Sequence, residues 1–341
     1  MLTSDPPGLD LRRLRSYLDT ACPGLVDGPL SAELIEGGRS NLTYVVRDES
    51  RSWVLRRPPL GHVLPTAHNM AREYRAISAL APTPVPVPEP IILCEDESVL
   101  GAPFYLMERV DGTVYRTAGQ SARLAPEQAT ALAGSMMRVL ADLHSIDPAA
   151  VGLADFGRPG GFLHRQLRRW HAQLDASHSR PIADIDELHA ELTERVPGSP
   201  PPAIVHGDYR LDNLIVTSDL KIAAVVDWEM TTVGDPLTDL GVLVVYWDGL
   251  SALPGSVSEA VGPSSPFPRA TALIDAYARH RDVDLSTLPW YVAFGYFKLA
   301  VITEGIHFRY VHGQTVGAGF ESIGEYTATL ARLGRSTLRE A

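Results

Sequence analysis

Residues 204–216 read IVHGDYRLDNLIV. His206, Asp208, Arg210, Asp212 and Asn213 stand between two apolar flanks, Ile204-Val205 and Leu214-Ile215-Val216. Short apolar runs of this kind suit buried strands, so the polar residues share one loop held at both ends. Downstream, KIAAVVDWE (221–229) is another apolar run, and it ends on Asp227. Asp208 can accept a proton from a hydroxyl or orient it. Asn213 and Asp227 offer oxygen ligands to a hard cation, and magnesium favours a few protein oxygens completed by phosphate oxygens. A lone loop aspartate is most often a turn or cap residue. The ordered set Asp208, Asn213 and strand-terminal Asp227 is more specific. It suits phosphoryl transfer, where the protein mainly positions groups and neutralises charge.

The chain upstream of this stretch is mainly strands. Residues 8–21 form an amphipathic helix through Leu11, Leu14 and Leu18, and residues 32–58 hold three strands. The first strand runs to Glu36, Gly37–Asn41 makes a turn, and LTYVVRD pairs with SWVLRRP. Residues 66–80 form a helix burying Met70, Tyr74, Ile77 and Leu80. PTPVPVPEP (82–90) is an extended connector, because proline donates no backbone hydrogen bond. IILCED and PFYLMERV are two more strands. From about residue 125 helices dominate: 126–147, 161–178, 184–196 and the C-terminal third. No parallel strand–helix–strand alternation appears, which disfavours a doubly wound sheet. The expected class is α+β, with residues 1–29 as a helical extension, 30–110 as a small mainly-β lobe and 111–341 as a mainly helical lobe.

Composition limits the partners. The net charge of −11 argues against nucleic acid, and no apolar run is long enough to span a bilayer. The cysteines are Cys22 and Cys94 only, which excludes a disulfide scaffold and a cysteine metal cluster. With no signal-peptide pattern at the N-terminus, a cytoplasmic protein is expected. A homodimer is left open. Basic residues are almost all arginine, Lys221 and Lys298 being the only lysines.

HGDYRLDN, VVDWE and GDPLTDLG (234–241) together resemble the aminoglycoside phosphotransferase and choline kinase family, small-molecule relatives of protein kinases. The resemblance covers about residues 30–315 and is nearest to the branch associated with acyl-CoA dehydrogenases. It implies a protein-kinase-like two-lobed fold, an ATP- and Mg2+-dependent transfer of the γ-phosphate, and a small-molecule hydroxyl as acceptor. Asp208 is then the catalytic base, and Asn213 and Asp227 are the metal ligands. His206 and Arg210 order the loop, His206 by bonding backbone near Asp227 and Arg210 by setting Asp208 or contacting substrate, and Asp239 anchors it through backbone N–H groups. In the first lobe Gly37, Gly38, Ser40 and Asn41 cover the phosphates. Arg56 stands where kinases carry a phosphate-binding lysine, and Glu73 is its helix partner. Arginine keeps the charge and can bind phosphate through two nitrogens. Met107 lines the adenine pocket, and the backbone of Glu108 and Val110 reads the base. Backbone recognition leaves ATP and GTP undistinguished. The same residues are compatible with a non-catalytic nucleotide-binding pseudokinase.

The acceptor half is less legible. Tyr291, Phe294, Phe297 and Val301 recur at helical spacing and read as core. Glu304, His307, Arg309 and His312 are polar positions of the same segment. A polycationic aminoglycoside calls for a carboxylate-rich site. Residues from 240 onward carry nearly balanced charge, which supplies no such site and leaves a hydroxylated metabolite at least an equal candidate; a hydroxyacyl-CoA is implied only by the family resemblance.

Overall fold

Residues 42–57 carry two short apolar runs, Tyr44–Val46 and Trp53–Leu55, on strands joined by a short turn, and that pattern seeds the first unit. A computed structural model describes residues 5–35, 41–60, 69–177, 179–250, 261, 265–314 and 322–340. The chain divides into two compact units, Met1–Gly112 with Ala223–Thr231, and Thr113–Ile222 with Thr232–Ala341.

In the first unit α1 (Leu11–Ala21) precedes β1 (Ser31–Leu34), β2 (Leu42–Arg47) and β3 (Ser52–Arg57). Then come α2 (Met70–Leu80), β4 (Pro90–Cys94), the single turn α3 (Glu97–Leu100) and β5 (Phe104–Glu108). The antiparallel sheet has the order β1-β2-β3-β5-β4. Arg47 faces Ser52 across the β2–β3 turn, and Arg56 faces Tyr105 across β3–β5. Strand alternation splits the sheet's side chains between two faces. Tyr44, Val46, Trp53, Leu55, Phe104 and Leu106 form one apolar cluster with Leu14 and Leu18 of α1. Arg56, Tyr105 and Met107 alternate with that set, and Arg56 and Tyr105 meet α2 through Glu73 and Tyr74. The described residues 5–29 of the stretch read from sequence as an extension are therefore part of this unit: α1 covers one face of its sheet, its start fixed by the Asp10 carboxylate accepting the N–H groups of Arg12 and Arg13. The first strand ends at Leu34 rather than Glu36, which lies outside the described residues.

The second unit opens with the short α4 (Ala118–Ser121), then α5 (Pro126–Ser145), α6 (Phe162–Ala176) and α7 (Ala183–Glu194). β6 (Ala203–Val205) and β7 (Leu214–Val216) flank the polar loop. β8 (Ile222–Val225) takes the chain back to the first unit, and β9 (Thr232–Gly234) returns to pair with β6. α8 (Leu237–Val244), α9 (Ala270–Ala278), α10 (Leu288–Val311) and α11 (Ile323–Arg339) complete it. α10 is apolar all round over most of its length and is buried as such a helix must be. Tyr291, Phe294, Phe297 and Val301 are core. Among the described residues no helix is long and apolar enough to cross a membrane.

Candidate active site

The loop after β6 is held from several directions within the second unit. Gly207 has φ +86°, a backbone state that glycine enters without steric cost. The buried Asp239 carboxylate on α8 accepts the N–H of His206 through Oδ2 and that of Gly207 through Oδ1, both at 2.7 Å. Burial alone would raise the Asp239 pKa, but the bonds from His144 and the loop N–H groups outweigh it and hold the carboxyl below its ordinary value. Burial keeps His144 neutral by lowering its pKa. The ring then donates from Nε2 to Asp239 at 3.1 Å and accepts the Tyr277 hydroxyl at Nδ1 at 2.8 Å. The anchoring of the loop by Asp239 is thus present in the structure, backed by a His144–Tyr277 pair that the sequence did not reveal.

Asp208 stands at the centre of that loop. Its Oδ2 accepts from Arg210 Nε and from Asn213 Nδ2, each at 3.1 Å. Asn213 Nδ2 also reaches the Asp208 carbonyl at 2.9 Å, which turns the amide oxygen away as the remaining acceptor. Arg210 spans Asp208 and Asp212, the latter at 2.6 Å, and its guanidinium lies 5.1 Å from the centre of the Tyr246 ring. Burial and the Asp208 charge raise the Tyr246 phenol pKa, so it keeps its proton and bonds Asp208. His206 is fully buried, and its Nδ1 accepts the Asp208 N–H at 3.2 Å. Arg210 contacts the Asp208 carboxylate, and His206 meets the Asp208 backbone, where the resemblance implied backbone near Asp227.

Two residues at this loop were missed from sequence. Tyr246 sits in a π-type turn, Val245–Gly249, closed by the Leu250 N–H on the Val245 carbonyl at 2.8 Å. Such turns have no sequence signature and recur at functional sites. Lys298 of α10 donates to the Gly207 carbonyl at 2.8 Å. Its signal was visible, a lone lysine in an apolar helix of an arginine-rich chain, but its partner was not.

In the first unit Arg56 is a fork. Its NH1 lies 3.1 Å from Glu73 on α2 and its NH2 2.9 Å from Asp227. Burial pushes the Glu73 carboxyl up, and Arg56 opposes that shift. Burial works against the Arg56 charge, and Glu73 and Asp227 more than restore it. Asp227 has φ +70°, uncommon for a residue with a side chain. Strain of this kind is a recurrent mark of functional sites. Asn41 Nδ2 donates to Glu229 at 3.0 Å, so its side chain is engaged by the same acidic segment. Met107 is buried, and the Glu108 N–H donates to the Glu89 carbonyl at 2.8 Å, which commits that donor to the backbone of the unit. Val110 is half-buried. Gly37, Gly38 and Ser40 lie outside the described residues.

Each unit, taken by itself, offers a donor whose chemistry suits a hard cation. Asn213 has an amide oxygen left by its anchored Nδ2, and Asp227 is a carboxylate whose side chain is 31% exposed. Both are hard oxygen donors.

A profile of the phosphotransferase enzyme family matches residues 31–264. Acyl-CoA dehydrogenase family member 10 of Mus musculus is 34% identical over 326 residues, 94% of this chain and 30% of that protein. Acyl-CoA dehydrogenase family member 11 of Gallus gallus is 34% identical over 336 residues, 95% of this chain and 43% of that one. The chain therefore spans less than half of these relatives. A crystal structure from Ralstonia eutropha JMP134, provisionally assigned as an aminoglycoside phosphotransferase, superposes with a TM-score of 0.84 at 33% identity, covering 97% of this chain and 99% of that one. An aminoglycoside phosphotransferase bound to ADP and hygromycin B has a TM-score of 0.61 at 14% identity, covering 94% of this chain and 97% of that one, and shows the kinase-like fold alone. With its profile match, its sequence relatives and its kinase-like fold, this chain belongs to the phosphotransferase enzyme family.

Proposed function

We propose that the protein is an ATP- and Mg2+-dependent phosphotransferase that moves the γ-phosphate to a hydroxyl of a small molecule. The observation that carries this reading is the Asp208 loop, whose carboxylate is oriented by Arg210 and Asn213 while its backbone is tied to Asp239. Asp208 orients and deprotonates the acceptor hydroxyl. Arg56, steadied by Glu73, binds the nucleotide phosphates together with Asn41, Gly37, Gly38 and Ser40. Asn213 and Asp227 supply the protein oxygens for magnesium. Met107, Glu108 and Val110 receive the base. When bound, the magnesium–nucleotide supplies the phosphoryl group and neutralises its charge.

The acceptor reading is narrower. Arg210 and Lys298 lie close to Asp208, and Arg169 and Arg116 add positive charge in the same unit. That charge opposes a polycationic aminoglycoside and suits a neutral or anionic alcohol. The acyl-CoA dehydrogenase names of the relatives put hydroxyacyl-CoA thioesters first in an acceptor screen.

Melting curves test the nucleotide reading. A ligand at a hundred times its Kd stabilises the fold by about 2.7 kcal/mol. ATP with magnesium should raise the melting temperature of the wild type and not that of Asp227→Ala; absence of any rise with millimolar ATP or GTP overturns the reading. Asp208→Asn should keep the rise and lose turnover by about 10²–10⁴-fold, the usual contribution of general acid–base catalysis. A nucleotide-dependent melting shift with no turnover on any alcohol would instead identify the non-catalytic module.

A further inference from the structure

Lys298 is a buried cation on the stretch of α10 from Leu288 to Val301 that carries no other charged residue. It is 8% exposed and lies 5.5 Å from the centre of the Trp170 ring on α6. Its Nζ donates to the Gly207 carbonyl at 2.8 Å, while Asp239 holds the Gly207 N–H at 2.7 Å. A left-handed glycine is thus gripped at both ends by opposite charges from two different helices, and the next residue is Asp208.

We propose that Lys298 is a positioning residue, which clamps the Gly207–Asp208 peptide and so fixes the direction of the Asp208 carboxylate. The proposal rests on the reading of Asp208 as the base. Its physical warrant is cost. A buried ammonium gives up its hydration, whereas a methionine or leucine would fill the same slot without that loss. Asp208 and Asp239 face the ammonium and favour its charge, and Arg169 and Arg210 oppose it. Burial is the larger influence and pulls its pKa below the ordinary lysine range. A group that costs stability at the base of the loop is retained for what it orders. The compact three-donor ammonium on a flexible stem also fits a single carbonyl better than the planar fork of arginine, which makes one of only two lysines in this chain intelligible.

The test compares wild type, Lys298→Met, Lys298→Arg and Asp208→Asn by three measurements: hydrogen–deuterium exchange, thermal melting, and hydrolysis of Mg-ATP with water as acceptor. Lys298→Met should melt at or above the wild-type temperature. Its amides at 206–210 should exchange at least about tenfold faster while the rest of the chain is unchanged, and Lys298→Arg should fall between. Turnover should drop about 30-fold or more, with the KM for ATP within about threefold. Asp208→Asn should lose turnover with loop exchange unaltered. Loop protection and turnover retained within threefold in Lys298→Met overturn the proposal, as does faster exchange throughout the chain, which marks a plain core residue. If the wild type hydrolyses no Mg-ATP and Mg-ATP leaves its melting temperature unchanged, the phosphotransferase reading fails by itself, and the exchange measurement still decides whether Lys298 holds the loop.

Discussion

Arg56 shows how one side chain ties together what the sequence only aligned. Its two terminal nitrogens meet Glu73 and Asp227 at 3.1 and 2.9 Å. A lysine ammonium cannot copy that planar fork. Arg56→Lys should therefore raise the KM for Mg-ATP about tenfold, a change near 1.4 kcal/mol, with a smaller effect on kcat, measured by initial rates. Arg56→Met is more severe because it strands a buried carboxylate, a change that costs about 3–5 kcal/mol. In that variant Glu73 loses the charge that opposes its burial, so its folded-state pKa, already raised by burial, rises further above the unfolded value near 4.3. The stability such a group contributes is fully present below the unfolded pKa and is lost as pH rises through the folded one. Denaturant titrations should then find the deficit of Arg56→Met largest at neutral pH and smaller at pH 5.

At the scale of elements, α8 and α10 pack at contact distance. A Cβ on Gly241 would overlap the Tyr291 backbone of α10, and one on Gly295 would stand 3.1 Å from the Gly241 carbonyl. Backbone cannot swing aside as a side chain does, and overpacking of this kind costs about 1–3 kcal/mol. Gly241→Ala should lower the melting temperature clearly more than Gly295→Ala. Because Asp239 sits on the same helix, the displaced α8 should also cost turnover, whereas an equally destabilising change in α1, such as Leu14→Ala, should leave kcat at low temperature intact. Equal kinetic losses in the two would contradict the coupling of α8 to the loop.

For the whole molecule, acid sensitivity should be carried by the second unit. The folded pKa of Asp239 is depressed, so its contribution is present above the unfolded value of about 3.9 and disappears as pH falls toward the folded value. Asp239→Asn should lose about 1.5–3 kcal/mol per charge-assisted bond at neutral pH. It should also show a flatter stability profile than wild type below pH 4, read by circular dichroism against denaturant. A wild-type and variant profile of the same slope would remove Asp239 from the account of acid unfolding.

The order of strands and helices, the pairing of β2 with β3, and the Asp208, Asn213 and Asp227 series were legible in the chain itself. Each depends on local periodicity or on spacing within one loop, which sequence records directly. The Arg56–Glu73 pair was also legible, through the family resemblance, and the structure places it at 3.1 Å. The place of α1 was not legible, since an amphipathic helix shows that it has an apolar face but not which sheet receives it. Nor was the use of Asn41 on Glu229, of His144 on Asp239, or of Tyr246 and Lys298 at the Asp208 loop. These partners are separated by 188, 95, 38 and 91 residues. Hydrogen bonds across such distances leave no periodic trace, because they exist only once packing has brought remote helices and strands together. Sequence by itself determined which chemical groups this protein has and the local elements that carry them; tertiary structure decided which of those groups touch, because burial and backbone direction are properties of the packed chain.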